Sequence, residues 1–214
     1  MSRIKRQREP LTRDRVLRAA VEVVDREGLE ALSMRRLGEA LGVEAMSLYR
    51  YVPSKAALLD GVHEAILAEV VVPERGRDWT VTVRAYARAF RAALVAHPNA
   101  LAVFALRPAV TPASLEHVEA GLAVFRAAGF SIEAAVASFQ VVVSFVIGHT
   151  LASHGPTRDD DRSAPVYRTL DPAKFPSLLE AAPVLDERDV DAELELGLDV
   201  LLVGLAAKLR GARK

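Results

Sequence analysis

Ser47, Tyr49, Arg50 and Lys55 are the residues whose types and spacing could do chemistry, and all lie within Ser33–Lys55, SMRRLGEALGVEAMSLYRYVPSK. The chemistry is recognition and not bond-making. Cationic side chains pair with phosphate oxygens, and hydroxyl, aromatic and small groups meet base edges. Ala45, Met46 and Tyr51 complete the same short segment. Lys55 stands where a helix dipole disfavours a cation, which makes sense if a phosphate completes the site. The plainer alternatives are a solvated lysine and a surface helix that carries two tyrosines.

These residues need elements to hold them. Met34, Leu37 and Leu41 share one helical face, and Leu48 and Val52 repeat it after a break at Gly42-Val43. Two short helices around a glycine-containing turn form a helix-turn-helix, which lays its second helix in the DNA major groove. The second helix, about Ala45 to Tyr51, is too short to stand alone and needs neighbours. Ser54 caps a further helix with Leu58, Leu59, Val62 and Ile66 as its stripe. Upstream, Thr12 caps a helix with Val16, Leu17, Ala20 and Val24 inward and Gly28 as its stop.

Charge points the same way. The 214 residues carry 28 Lys and Arg against 28 Asp and Glu, a net of zero. Residues 1–60 nevertheless hold twelve basic and nine acidic side chains, a net of +3, so the rest carries −3. Arg3, Lys5, Arg6, Arg8, Arg13, Arg15 and Arg18 form a basic N-terminal arm suited to phosphate. There is no cysteine, which excludes disulfides and thiolate metal sites and agrees with a reducing cytoplasm. No basic leader followed by an apolar stretch opens the chain, so a cytoplasmic protein is expected.

LSMRRLGEALGVEAMSLYRYVPSKAALLDGV resembles the DNA-binding domain of the TetR-type (tetracycline-repressor) family of bacterial transcription regulators. The glycine-valine turn, Ser-Leu-Tyr and Lys-x-x-Leu-Leu carry the resemblance. It implies a helical homodimer that binds near-palindromic double-stranded operator DNA and releases it when a small molecule enters a second domain. It also puts Arg35, Ser47, Tyr49 and Lys55 at the family's contact positions; with Glu44, Ala45, Met46, Arg50 and Tyr51 they make up the expected DNA-binding set.

Val71 to Asp78, with proline and glycine, reads as a connection. Helices are then expected from Trp79 to His97, from Leu101 to Arg107-Pro108 and from Pro112 to Ala128, where Gly129 stops the last of them. Ser131–Ser153 is apolar nearly all round from Phe139 to Ile147, which predicts burial on several sides. Glu133, Gln140, Ser144 and His149 interrupt it, and a membrane span needs roughly 20 mostly apolar residues, so no membrane association is expected. Four prolines and many charges make His154 to Pro176 a loop, and Asp159-Asp160-Asp161 lacks the spacing of a calcium site. A last helix, about Asp189 to Leu209, points Val190, Leu194, Leu198, Leu201, Leu202 and Leu205 inward. Gly148, Gly197 and Gly204 would allow close backbone approach between chains.

Catalysis finds little support. There is no glycine-rich phosphate loop, no nucleophile elbow and no pair of histidines spaced to share a metal. His63, His97 and His117 read as packing or surface residues. The resemblance extends into the second half through Trp79, Phe90, Arg107-Pro108 and Gly129-Phe130-Ser131. It implies a ligand pocket, to which we assign Tyr86, Phe90, Val103, Phe104, Arg107, Pro108 and Phe125. Val71, Tyr86, Val103 and Gly121 replace the polar ligand contacts of the tetracycline branch, which implies a mostly apolar effector and no chelated metal.

The expectation is an all-α, two-domain chain. Residues 1–72 form the arm and helix-turn-helix domain with its connecting fourth helix, and residues 73–214 a larger helical domain for ligand binding and dimerisation. It has no cofactor, no metal and no catalytic residue, and its partners are operator DNA, a small molecule and a second copy. The alternative is a helical small-molecule carrier or enzyme with a vestigial DNA-binding module.

Overall fold

A computed structural model describes residues 10–71, 78–156 and 169–211. Arg3, Lys5, Arg6 and Arg8 of the arm, most of the Val71–Asp78 connection and the Asp159-Asp160-Asp161 turn lie outside the described residues. Among the described residues the chain is all-α, with ten helices and no strand. It divides into two compact units, Met1–His154 and Gly155–Lys214.

In the first unit, α1 (Arg13–Glu27) starts where Thr12 Oγ1 accepts a hydrogen bond from the Arg15 amide, 3.2 Å away. It ends at Gly28, whose φ of 85° suits glycine. Val16, Leu17, Ala20, Val21, Val23 and Val24 form its buried face. α2 (Met34–Leu41) is capped by Ser33 and closed by Gly42 in the left-handed region, φ 66°. α3 (Ala45–Leu48) follows after three residues. α4 (Lys55–Leu67), capped by Ser54, packs on α1.

Gly38 sets the approach of α3 to α2. A Cβ there would meet the Val43 carbonyl oxygen at 2.8 Å and the Ala45 amide nitrogen at 3.2 Å, both backbone atoms. α3 is shorter than expected: Tyr49 to Tyr51 form a hydrogen-bonded turn, with both the Tyr51 and Val52 amides donating to the Leu48 carbonyl. The chain leaves the helix there because Tyr51 Oη reaches back to the Leu11 carbonyl at 2.7 Å and Pro53 follows. Leu48 and Val52, 0% and 1% exposed, anchor the segment.

α5 (Trp79–Ala96), α6 (Leu101–Leu106), α7 (Pro112–Ala128) and α8 (Ile132–His154) complete this unit. α5, α6 and α7 all pack on α8. α8 is long and apolar enough to cross a membrane, yet it carries this helical packing. Burial on several sides is not what a single chain achieves. Ala135, Ser138, Phe139, Val142, Val146 and Thr150 form one buried face, while Ile132, Val136 and Val141 are exposed.

The second unit holds α9 (Pro176–Asp186) and α10 (Val190–Gly211). α9 was not expected: it buries no residue, carries Pro183 within it, and so shows no apolar period. In α10, Leu194, Leu198 and Leu202 are buried at four-residue spacing, while Val190, Leu201 and Leu205 are half-buried. Leu196, Val200 and Val203 are exposed. Gly148 and Gly204 meet nothing within 4 Å in the single chain.

Candidate nucleic-acid interface and internal cavity

Ion pairs tie the helices around the helix-turn-helix together. Arg13 on α1 grips Glu64 on α4, its Nη2 2.9 Å from Oε2, and this bond holds the Glu64 carboxyl below its ordinary range. Arg36 on α2 returns to Glu27 on α1, Nε to Oε2 at 2.7 Å. With the scaffold fixed, most of the expected contact residues stand exposed. Met46, Tyr49 and Arg50 are exposed, as are Glu44 and Lys55, while Ala45 and Ser47 are half-buried. Arg35 is exposed and pairs with Glu39 at 2.6 Å.

Two members of that set have prior commitments. Ser47 Oγ donates to the Glu44 carbonyl at 2.7 Å, closing the first turn of α3. Tyr51 is half-buried and donates to Leu11, so its hydroxyl ties the turn to the residue before the α1 cap. The Arg50 guanidinium lies 5.1 Å from the centre of the Tyr51 ring, which supports the arginine from beneath.

A cavity of about 610 Å³ lies among α4, α5, α6, α7, α8 and the Arg107–Ala109 segment. Tyr86, Phe90, Phe104, Arg107 and Pro108 of the expected pocket line it. The rings of Tyr86 and Phe90 stack 6.0 Å apart, and Phe90 meets Phe104 edge-on at 5.8 Å. Val103, 1% exposed, is a core residue outside the lining. Phe125 packs with Trp79 and Phe130 and borders a separate void of about 30 Å³. Val103 sits in the core beside Phe104, and Phe125 is taken up by the aromatic cluster.

The lining also contains His63, His117, Gln140 and Ser144, none of which was assigned to the pocket from the sequence. His63 is buried on α4 and stacks on Phe104, ring centres 4.4 Å apart. Burial pushes its imidazole down to about 4; Asp60 opposes this, and Arg107 and His117 add to it. Burial likewise lowers His117 and raises the Tyr86 phenol to about 12. The signal for His63 was its place among Leu58, Val62, Ile66 and Leu67, which makes the buried face of α4 wider than its apolar stripe.

Arg107 joins this cavity to the DNA-side helix. Its Nε and Nη2 donate to Asp60 Oδ1 at 3.0 and 2.6 Å, and Nη2 also reaches the Ala56 carbonyl at 3.3 Å. Asp60 and Ala56 lie on α4, near Lys55 at its start.

Residues 16–62 match the bacterial regulatory proteins of the tetR family, and residues 72–209 match the tetracyclin repressor-like C-terminal domain. This chain belongs to the TetR family. An HTH-type transcriptional regulator of Saccharopolyspora erythraea is 35% identical over 202 residues, covering 92% of this chain and 85% of that protein. The class A tetracycline repressor from transposon 1721 in Escherichia coli is 34% identical over 198 residues, covering 90% and 89%. Among solved structures, ActR of Streptomyces coelicolor in complex with actinorhodin matches at a TM-score of 0.80 and 31% identity, over 94% of this chain and 99% of that one. As a TetR-family protein the chain is a ligand-responsive, DNA-binding transcriptional regulator.

Proposed function

We propose that this TetR-family protein is a cytoplasmic homodimeric repressor. In this reading residues 1–72 bind a palindromic operator, and residues 73–214 bind a small, mostly apolar aromatic effector and dimerise. Arg35, Tyr49, Arg50 and Lys55 meet the duplex, with Glu44, Ala45, Met46 and Ser47 at its edge and Tyr51 holding the turn. The cavity serves as a sensor and not as an active site. ActR, a structural neighbour, is known in complex with actinorhodin, which supports an effector in the corresponding domain.

The observation that carries the proposal is the two-sided use of α4. Its first residue, Lys55, is exposed beside the recognition segment, while His63 and Leu67 line the cavity and Asp60 holds Arg107 at the cavity wall. An occupant that moves Arg107 or His63 displaces the helix that carries Lys55. A ligand preferring the displaced state shifts the population away from DNA, and by linkage DNA weakens the ligand equally.

The test is a titration of apolar aromatic compounds and of magnesium-tetracycline into a complex with a duplex selected from a random pool. Release is expected from aromatic compounds. Arg107→Ala should keep DNA affinity within a few-fold and blunt release by about tenfold. Release by magnesium-tetracycline with no response to any apolar compound would refute the proposed effector class.

A further inference from the structure

The cavity lining sets Arg107, His63 and His117 among the rings of Tyr86, Phe90 and Phe104. The His63 ring stacks on Phe104, 4.4 Å between centres. Arg107 spends Nε and Nη2 on α4, and its Nη1 makes no hydrogen bond to another described residue. These groups are not scattered. Arg107 is tied to Asp60, one turn before His63 on α4, and the charges of Arg107 and His117 both reach the His63 ring.

Resting on the reading of the cavity as the effector site, we infer that the effector is an aromatic acid. Its rings lie along Tyr86, Phe90 and Phe104, and its carboxylate sits where His63, His117 and Arg107 stand. A neutral aromatic would satisfy the hydrophobic wall and leave this end unpaired, which costs affinity. The local carboxylates do not fill the role. Asp60 is taken by Arg107, Glu64 by Arg13, and Glu116 beside His117 is exposed.

The charge arrangement adds a proton. Both imidazoles are lowered from 6.5 in the free protein and stand neutral near neutral pH. A carboxylate beside them favours the imidazolium form. Seating the acid therefore draws a proton from solvent onto an imidazole nitrogen, and affinity rises as pH falls through the bound-state pKa. Asp60 favours this uptake, while the Arg107 cation opposes it.

The test is calorimetric titration of the full chain with anthracenecarboxylic acid and with its uncharged amide, at about pH 8 and about pH 6. The acid should bind at least about tenfold more tightly, with the preference growing at the lower pH. Its heat should change between buffers of different ionisation enthalpy, reporting proton uptake. His63→Phe and His117→Gln should each cut the ratio of acid to amide affinity and its dependence on pH. If His63→Phe does not fold, His117→Gln at its half-buried site carries the same comparison. Equal affinity for acid and amide, no binding of the acid, or an intact preference in a folded variant overturns the inference. DNA release is followed in parallel. Acid-selective binding without release upholds the ligand assignment and removes the regulatory role, whereas release by the amide alone does the reverse.

Discussion

His97 Nδ1 lies 2.9 Å from Asp25 Oδ2, joining the end of α5 to α1 of the DNA-binding head. Its Nε2 lies 3.0 Å from Glu69 Oε2, just beyond α4, so one imidazole links three segments. Asn99 reinforces the junction by donating to the Asp25 carbonyl at 2.9 Å. Burial works to lower this imidazole, but hydrogen bonds to Glu69 and Asp25 outweigh it and raise it above 6.5.

The sign of the pH effect follows. A histidine raised in the folded state contributes its full stability below the unfolded pKa, and loses it as pH rises through the folded pKa. His97→Ala should cost about 1–3 kcal/mol below about pH 6, with the gap to wild type narrowing on the alkaline side. Thermal melts of both chains across that range check it. A gap independent of pH would mean that packing, not charge, makes the contribution.

Gly38 is the residue on which the helix-turn-helix geometry rests. A Cβ there meets backbone atoms of the turn, which cannot rotate away as a side chain can. Gly38→Ala should therefore destabilise by about 1–3 kcal/mol and weaken DNA binding at permissive temperature. Gly211→Ala, where a Cβ meets nothing within 4 Å, should change stability by less than about 0.5 kcal/mol. Denaturant melts of the two variants measure the contrast.

What was legible in the sequence was written in local chemistry. Thr12 and Ser54 are side-chain caps, and Gly28, Gly42 and Gly129 are positive-φ stops, because capping needs only near neighbours along the chain. α9 escaped notice because an exposed helix holding Pro183 has no buried period to read. His63 escaped for the opposite reason. Its meaning comes from Phe104, 41 residues away, whose ring it stacks against. Val103 and Phe125 lie outside the cavity lining, and aromatic and aliphatic types say nothing about which side of a wall they occupy. Nothing in the sequence singles out Gly38, because its role comes from the backbone packed against it.

Lys55 and Arg50 should separate into two kinds of DNA contact. Lys55 opens α4 and suits a phosphate, so Lys55→Ala should weaken every duplex alike and lower the salt slope by about one counterion. Arg50, exposed and braced on Tyr51, suits a guanine edge. Arg50→Ala should cost about 1–3 kcal/mol on the preferred sequence and much less on others. Fluorescence anisotropy with selected and scrambled duplexes over a salt series distinguishes them. A changed sequence preference with an unchanged salt slope in Lys55→Ala would remove that residue from the phosphate contacts.

Two apolar faces ask for a partner. On α8, Ile132, Val136 and Val141 are 50%, 41% and 45% exposed; on α10, Leu196, Val200 and Val203 are 65%, 65% and 68% exposed. Exposed apolar side chains grouped on one helix mark an association site, and the proposed occupant of the α10 face is a second copy of the chain. Gly204, with open space around it, sits next to Val203 and would let a partner helix come close. Val200→Glu places a charge in this face without touching Leu194, Leu198 or Leu202, so the monomer should keep its fold. Sedimentation should then show monomers where wild type shows dimers. Operator affinity should fall by about a hundredfold, because the second head loses the benefit of being tethered to the first. An unchanged dimer in Val200→Glu, or a wild-type monomer at micromolar concentration, would rule out this surface as the interface.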